Sequence, residues 1–410
     1  MTRRVEVDGV GVLIQTENLG RGYQGTVHKG VLESDTGLPV LVKELRASPI
    51  VEGRTRFLCR QNLSSISPGF AAPVVCEQQA DGGMIYLAPF VEGVSQEEAP
   101  PGALPQNLET CLEFVGQIQL LEEHGIAHGD IAFDNLLMGP DGSVNLIDFD
   151  GFLADDDTVP DPDIIGHRPM LAPEQRDGAQ PVPTRASGYF AMAVFMSMVL
   201  TGRYPTDGLP DEPAAVDRLM SQGHWPEHDR SPEPDEEPIA ALGQELQDLF
   251  DLAFSLNPKM RPGPDVWRRA LTRALNNLWV HDCGQAFVGD DQIKACPGCH
   301  QAVSISRVDN ELKIQIVGAG PRYGVKLVDG QVIILGRSTM PHLSGHVSGR
   351  HLEILPCQGQ LLLRHVGLNP TLLRKNGQWY RLEEFWLAAE SLKNPLRLKL
   401  ADVEIDLEIP

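Results

Sequence analysis

The chain has 410 residues, 42% of them hydrophobic and 22% charged, which excludes a fibrous or wholly disordered protein and exceeds one compact core. Its net charge of −22 sits almost wholly in residues 1–275, while residues 304–410 are slightly basic. An acidic body disfavours nucleic acid or an anionic membrane as a partner. The 40 glycines and 32 prolines predict many turns. Seven cysteines, four of them scattered, argue against a disulfide framework and for a reducing, cytoplasmic setting. Met1-Thr2-Arg3-Arg4 runs into acidic residues with no apolar stretch behind it, and the longest apolar run, Phe190 to Leu200, is too short for a span, so neither a secretory leader nor a membrane segment is expected.

In chain order, the first hundred residues read as strands: Leu41-Val42-Lys43, Pro73 to Cys76, and Met84 to Leu87. From Asn107 the period becomes helical through Leu108, Cys111, Leu112, Val115, Ile118 and Leu121, with Asn107 as N-cap and Gly125 just past the end. Phe190 to Leu200 is apolar nearly all round and predicts a buried helix, and further helical patterns cover 239–255 and 264–278. Residues 226–238 are rich in Pro, Glu and Asp and read as a solvated loop. Beyond Ser304 the period is two, as in Leu312, Ile314 and Ile316, then Leu396, Leu398 and Leu400, then Val403 to Ile409, with Ala401-Asp402 as a hairpin-length gap.

Gly20-Arg21-Gly22-Tyr23-Gln24-Gly25-Thr26-Val27 brings backbone free of side chains to where phosphates can approach, and Lys43 follows eighteen residues after Gly25 on an apolar strand. His128-Gly129-Asp130 precedes Asn135, and thirteen residues later stands Asp148-Phe149-Asp150-Gly151, then Ala172-Pro173-Glu174 and Arg261-Pro262. The order and spacing of these pieces resemble the protein-kinase superfamily over residues 8–275. That resemblance implies an α+β bilobal fold in which the glycine loop (Gly20, Gly22, Gly25, Val27) covers ATP and Lys43 meets its α- and β-phosphates. It implies that Asp130 accepts the substrate hydroxyl proton, that Asn135 and Asp148 hold Mg²⁺ or Mn²⁺, and that the Pro89 carbonyl and Val91 amide bond the adenine. Glu174 and Arg261 resemble a buried structural ion pair. The sequence departs from the pattern in five places. No glutamate stands between Glu52 and Glu77 to pair with Lys43, leaving Gln61 as a neutral substitute or Glu52 on a shifted helix. Ala132 replaces a lysine, Ser187-Gly188 an aspartate brace, Asp150 a glycine and Gly129 an arginine. Thr158 is the one hydroxyl residue between Phe152 and Leu171, amid Asp155-Asp156-Asp157, so switching by phosphorylation there is not expected.

His281-Asp282-Cys283-Gly284 and Cys296-Pro297-Gly298-Cys299 have metal-knuckle spacing and resemble a small zinc ribbon over 276–303. His281, Cys283, Cys296 and Cys299 would form a closed structural Zn²⁺ site, with His300 as a rival fourth ligand. Gly336-Arg337, Ser348-Gly349-Arg350-His351 and Asn369 lie between alternating strands and resemble the forkhead-associated (FHA) domain, an all-β sandwich, over 304–410. The resemblance implies a phosphothreonine reader in which Arg337 and Ser348 contact phosphate, Arg350 is a second basic contact, Asn369 bonds the ligand backbone and His351 braces a loop. Asn369-Pro370-Thr371 departs from the usual N-G-T.

The reading is a multidomain cytoplasmic ATP- and Mg²⁺-dependent Ser/Thr kinase of bacterial signalling, with a protein substrate and a phosphothreonine-bearing partner. By analogy with such kinases, a metal-dependent phosphatase and a von Willebrand A protein are further partners. The alternative is a pseudokinase scaffold that binds nucleotide or phosphorylated partners without transfer.

Overall fold

The computed structural model describes residues 3–21, 25–34, 37–95, 98, 102–139, 143–162, 166–176, 182–206, 212–222, 239–281, 283–289, 294–303, 307–318 and 320–410. The acidic 226–238 segment therefore lies outside the described residues. Strands β1 (Arg3–Val7), β2 (Val10–Arg21), β3 (Gly25–Leu32), β4 (Pro39–Leu45), β5 (Val75–Gln78) and β6 (Met84–Pro89) form an antiparallel sheet in the order β1-β2-β3-β4-β6-β5. Alternation sorts its side chains: Val12, Ile14, Val42, Ile85 and Leu87 share one apolar cluster, and Leu45, Met84, Tyr86 and Ala88 another. Val27, Lys43 and Tyr86 lie in register across β3, β4 and β6, so Lys43 shares the second face.

Helix α1 (Pro49–Gln61) opens on a proline in its first turn and ends at Asn62, whose φ of 49° lets its amide bond the Leu58 carbonyl. The four-residue α2 (Leu63–Ile66) follows. α3 (Leu104–Glu123) begins before the expected cap Asn107, because Pro105 supplies a first turn that needs no amide donor; Gly125, at φ 71°, stands just beyond its end. After α4 (Pro173–Arg176) comes α5 (Arg185–Thr201), buried nearly all round as its composition predicts. α6 (Pro213–Ser221), α7 (Gly243–Ala253) and α8 (Pro264–Asn276) pack with α3 and α5 around one cluster that includes Phe114, Phe195, Phe250 and Trp267.

The cysteine-bearing segment ties the helices to the tail. Leu278–Val280 pairs with Ala286–Val288, while the Val332 amide donates to the Leu278 carbonyl at 2.7 Å and the Val280 amide to Gly330 at 2.8 Å. Val332 and Ile334 join the helical cluster. In the tail, a six-stranded sheet in the order Arg322–Val328, Arg307–Ile316, Val403–Glu408, Leu396–Leu400, Thr371–Lys375, Gln378–Leu382 shares a core with a four-stranded sheet of Ile333–Leu335, Leu352–Cys357, Gln360–His365 and Glu384–Ala388. Ala401-Asp402 is the turn between paired Leu400 and Val403, with Ala401 at φ 53°. The chain is thus mixed α/β with several sheets, consistent with multiple domains. No helix among the described residues is long and apolar enough to cross a membrane.

Candidate functional site

The glycine string spans the end of β2 and the start of β3. Gly20 pairs with Val27, and residues 22–24, Gly22 among them, lie outside the described residues. Gly25 is required by packing, since a Cβ there would meet the Glu44 carbonyl oxygen at 2.0 Å. Beside Val27, Lys43, 6% exposed, places Nζ 2.7 Å from Asp148 Oδ1 and 2.8 Å from Asp150 Oδ2. Burial opposes the ammonium charge, but Tyr86, Asp150 and Asp148 outweigh it and hold Lys43 well above the ordinary lysine value. Asp150 is pushed up by burial, with Lys43 drawing it back. Asp148 adopts φ 56°, the left-handed conformation that aspartate tolerates better than most residues.

The absent small-helix glutamate is answered from an unexpected direction. Glu52 bonds Arg56 at 3.0 Å and Gln78 at 3.1 Å near the surface, so it does not serve Lys43, and Gln61 is merely the last residue of α1. Asp150 instead supplies the second carboxylate. α1 turns the buried Arg54 toward the same loop, where it donates to the carbonyls of Pro160 at 2.6 Å, Asp150 at 2.9 Å and Phe152, with its guanidinium 4.1 Å from the Phe152 ring. Burial lowers its pKa to about 10, with Asp150 and Asp161 opposing. Arg54 was legible in one respect: it is a lone cation on the helix face that carries Phe57 and Leu58.

On the segment before Asp148, Asn135 Nδ2 donates to the Asp130 carbonyl at 2.9 Å and to Asp130 Oδ2 at 3.2 Å. Asp130 Oδ1 meets His167 Nδ1 at 3.2 Å, a contact that sequence reasoning missed. Burial raises the Asp130 pKa, but His167 and Asn135 outweigh it and hold the carboxyl below its ordinary value; His167 is raised in turn by that hydrogen bond. Gly129 has a steric cause: at φ 73°, a Cβ there would meet the Gly151 carbonyl oxygen at 1.9 Å, which excludes the usual arginine. Ser187 stands in a reciprocal cap with Thr184, their amide-to-hydroxyl bonds being 2.8 and 3.1 Å, where an aspartate brace was missed. Pro89 ends β6, and Val91 follows as the chain leaves the sheet. Arg261 and Glu174 form a bidentate pair at 2.6 and 2.7 Å.

His281, Cys283, Cys296 and Cys299 bring their ligand atoms within 4.8 Å of one another. A tetrahedral zinc with sulfur at about 2.3 Å implies sulfurs about 3.8 Å apart, and Cys283 and Cys296 stand at 3.8 Å. His281 Nδ1 lies 3.2 Å from Cys283 and 3.3 Å from Cys299, a few tenths inside the matching imidazole–sulfur spacing. His281 lowers the Cys283 thiol to about 7, toward the thiolate a metal needs. His300 is not in the group. The donor set fits zinc.

The tail residues gather at one loop cluster. Arg337 Nε donates to the Val347 carbonyl at 2.6 Å, Ser348 Oγ accepts from the Leu368 amide at 2.9 Å, and Asn369 Nδ2 donates to the His346 carbonyl at 2.8 Å. His351 is buried and accepts the Ser348 amide at 3.1 Å. Arg350 pairs with Glu353 at 3.3 Å.

No protein-family model matches the chain. Over 125 residues it is 27% identical to a Lactococcus lactis protein named probable serine/threonine-protein kinase PknB, a match covering 29% of this chain and 20% of that protein. The chain thus spans about a fifth of the length of this relative. The similarity is partial.

Proposed function

We propose that the chain is an ATP- and Mg²⁺-dependent protein Ser/Thr kinase whose tail reads phosphothreonine. The observation that carries it is that two pairs far apart in sequence, Lys43 with Asp148 and Asn135 with Asp130, lie near each other, the two aspartates both acting on the buried His128. The fit of the divalent ion rests on donors: Asn135 gives Nδ2 to Asp130, leaving Oδ1 as its ligand atom, and the Asp148 side chain is 41% exposed. Mg²⁺ held by Asn135 and Asp148 would neutralise charge on the phosphates. Lys43 binds and orients the phosphates once they draw it from Asp148. Asp130 accepts the proton of the substrate Ser or Thr hydroxyl as its oxygen bonds the γ-phosphorus and the bond to the ADP leaving oxygen breaks. Val27 and the Pro89–Val91 stretch would enclose the adenine. Kinase-like residues 1–275, the metal segment 276–303 and the tail 304–410 are then three domains, the zinc being structural.

A scaffold reading draws on one observation: Lys43 is closed on Asp148 and Asp150, and His167 covers Asp130. Transfer of labelled phosphate from ATP to an acceptor, with Asp148→Ala as control, separates the two. Transfer by the wild-type chain alone supports the kinase; equal silence of both, with nucleotide still bound, supports the scaffold.

A further inference from the structure

Neither the Lys43–Asp148 site nor the metal group accounts for a broad, open cavity of the described residues. It spans about 1250 Å³ between α3 and α8 on one side and the loops bearing Arg337, Ser348 and Arg350 on the other. The tail thus turns its anion-reading loops inward, onto helices of its own chain, and α8 adds Arg268 to the wall they face. Arg268 donates to the neutral Gln119 at 3.3 Å.

Glu109 and Glu113 of α3 and Asp265 of α8 line this field, and of these Glu109 reaches the tail loops. Ser338 Oγ donates to Glu109 Oε1 at 3.3 Å, and a Cβ built on Gly349 would come within 3.3 Å of the same oxygen, so Glu109 lies directly against the loop backbone. Arg350 attracts it across the cavity. Arg350 keeps Nη1 buried without a hydrogen-bond partner, so a donor in the loop cluster stands unused. Arg337 is exposed and donates to the Val347 carbonyl through Nε, which leaves its terminal nitrogens for a ligand.

We propose that Glu109 is an intrachain stand-in for the phosphoryl group that the tail loops read, displaced when a phosphothreonine segment enters the cavity and lies between those loops and Arg268. The inference rests on the reading of the tail as a phosphothreonine binder. A phosphoryl group brings a charge of about −1.5 to −2 and three acceptor oxygens, against one charge and a single long hydroxyl contact for Glu109. Burial pushes Glu109 up to about 7, so near neutrality part of its population is already uncharged and weakly held. Arg268 favours a segment with an acidic residue beside the phosphothreonine.

The test is retention, by the whole 410-residue chain, of a peptide pool with a fixed phosphothreonine and random flanks, against the same pool unphosphorylated. The Glu109→Ala and Glu109→Gln variants should each retain the phosphorylated pool about tenfold more strongly than wild type, the change expected when a charge-assisted competitor is removed. Glu109→Gln keeps the side chain's volume, so its gain stands even where the alanine variant folds poorly. If wild type and both variants bind equally while Arg337→Ala loses binding, the stand-in role is overturned and the reader survives. If none of them distinguishes the phosphorylated pool, the reader itself fails and takes the inference with it.

Discussion

Lys43 is 6% exposed and closes on two carboxylates, whereas at the tail Arg337 stands exposed with one backbone acceptor. Both are cations that a phosphate could meet. A cation taken out of water must carry its counter-charge with it, while one left at the surface is satisfied by solvent. A phosphate at Lys43 would therefore have to exchange with Asp148 or Asp150, and one at Arg337 with water. Glu109 lies between these cases, a half-buried carboxylate that lends the tail loops a weak internal counter-charge.

The largest perturbation of this contrast removes the clasp that sets the tail loops over α3 and α8. Elemental analysis should find about one zinc per chain, lost when Cys296 and Cys299 are both replaced. Because structural zinc supplies on the order of 10 kcal/mol to small sites, residues 278–303 should then lose amide protection; a protected, zinc-free segment would reject the metal assignment. Next comes the chemistry at Asp130. Asp130→Asn should cut phosphoryl transfer by about 10²–10⁴-fold without changing the melting temperature greatly, and unchanged turnover would remove Asp130 from its role.

Lys43→Met sharpens the buried half of the comparison. It removes the ammonium between Asp148 and Asp150 and leaves Arg54 as a cation acting on Asp150, so denaturant unfolding should report a loss of about 1–3 kcal/mol. Arg337→Ala, by contrast, should change stability by less than about 0.5 kcal/mol while reducing phosphothreonine-peptide binding. Equal destabilisation by the two substitutions would break the contrast.

The smallest effect is a pH limb. His167 is raised above 6.5 and Asp130 lowered below 3.8, so their pairing is complete between those values. It is lost as pH rises through the raised His167 value, and at the acid end as pH falls through that of Asp130. Transfer should therefore climb a few-fold as His167 deprotonates and releases Asp130, and His167→Ala should flatten that limb. A limb that persists in the variant would assign it to another group.

Local pattern alone determined much here: the two-residue period of the tail strands, the all-apolar α5, the gap at Ala401-Asp402 and the knuckle spacing of the cysteines are each set by interactions within a few residues. Those signals also picked out Lys43, Asp130, Asn135 and Asp148, because their order along the chain carries the resemblance. What tertiary structure alone decided is how charges are matched across distance. That Asp150 rather than Glu52 serves Lys43, that Arg54 braces the loop after Asp148, that His167 reaches Asp130, and that Glu109 of α3 lies against Ser338 all join residues well separated in sequence. No periodicity encodes such partnerships, since a buried charge accepts whichever opposite or polar group the packing brings within about 3 Å.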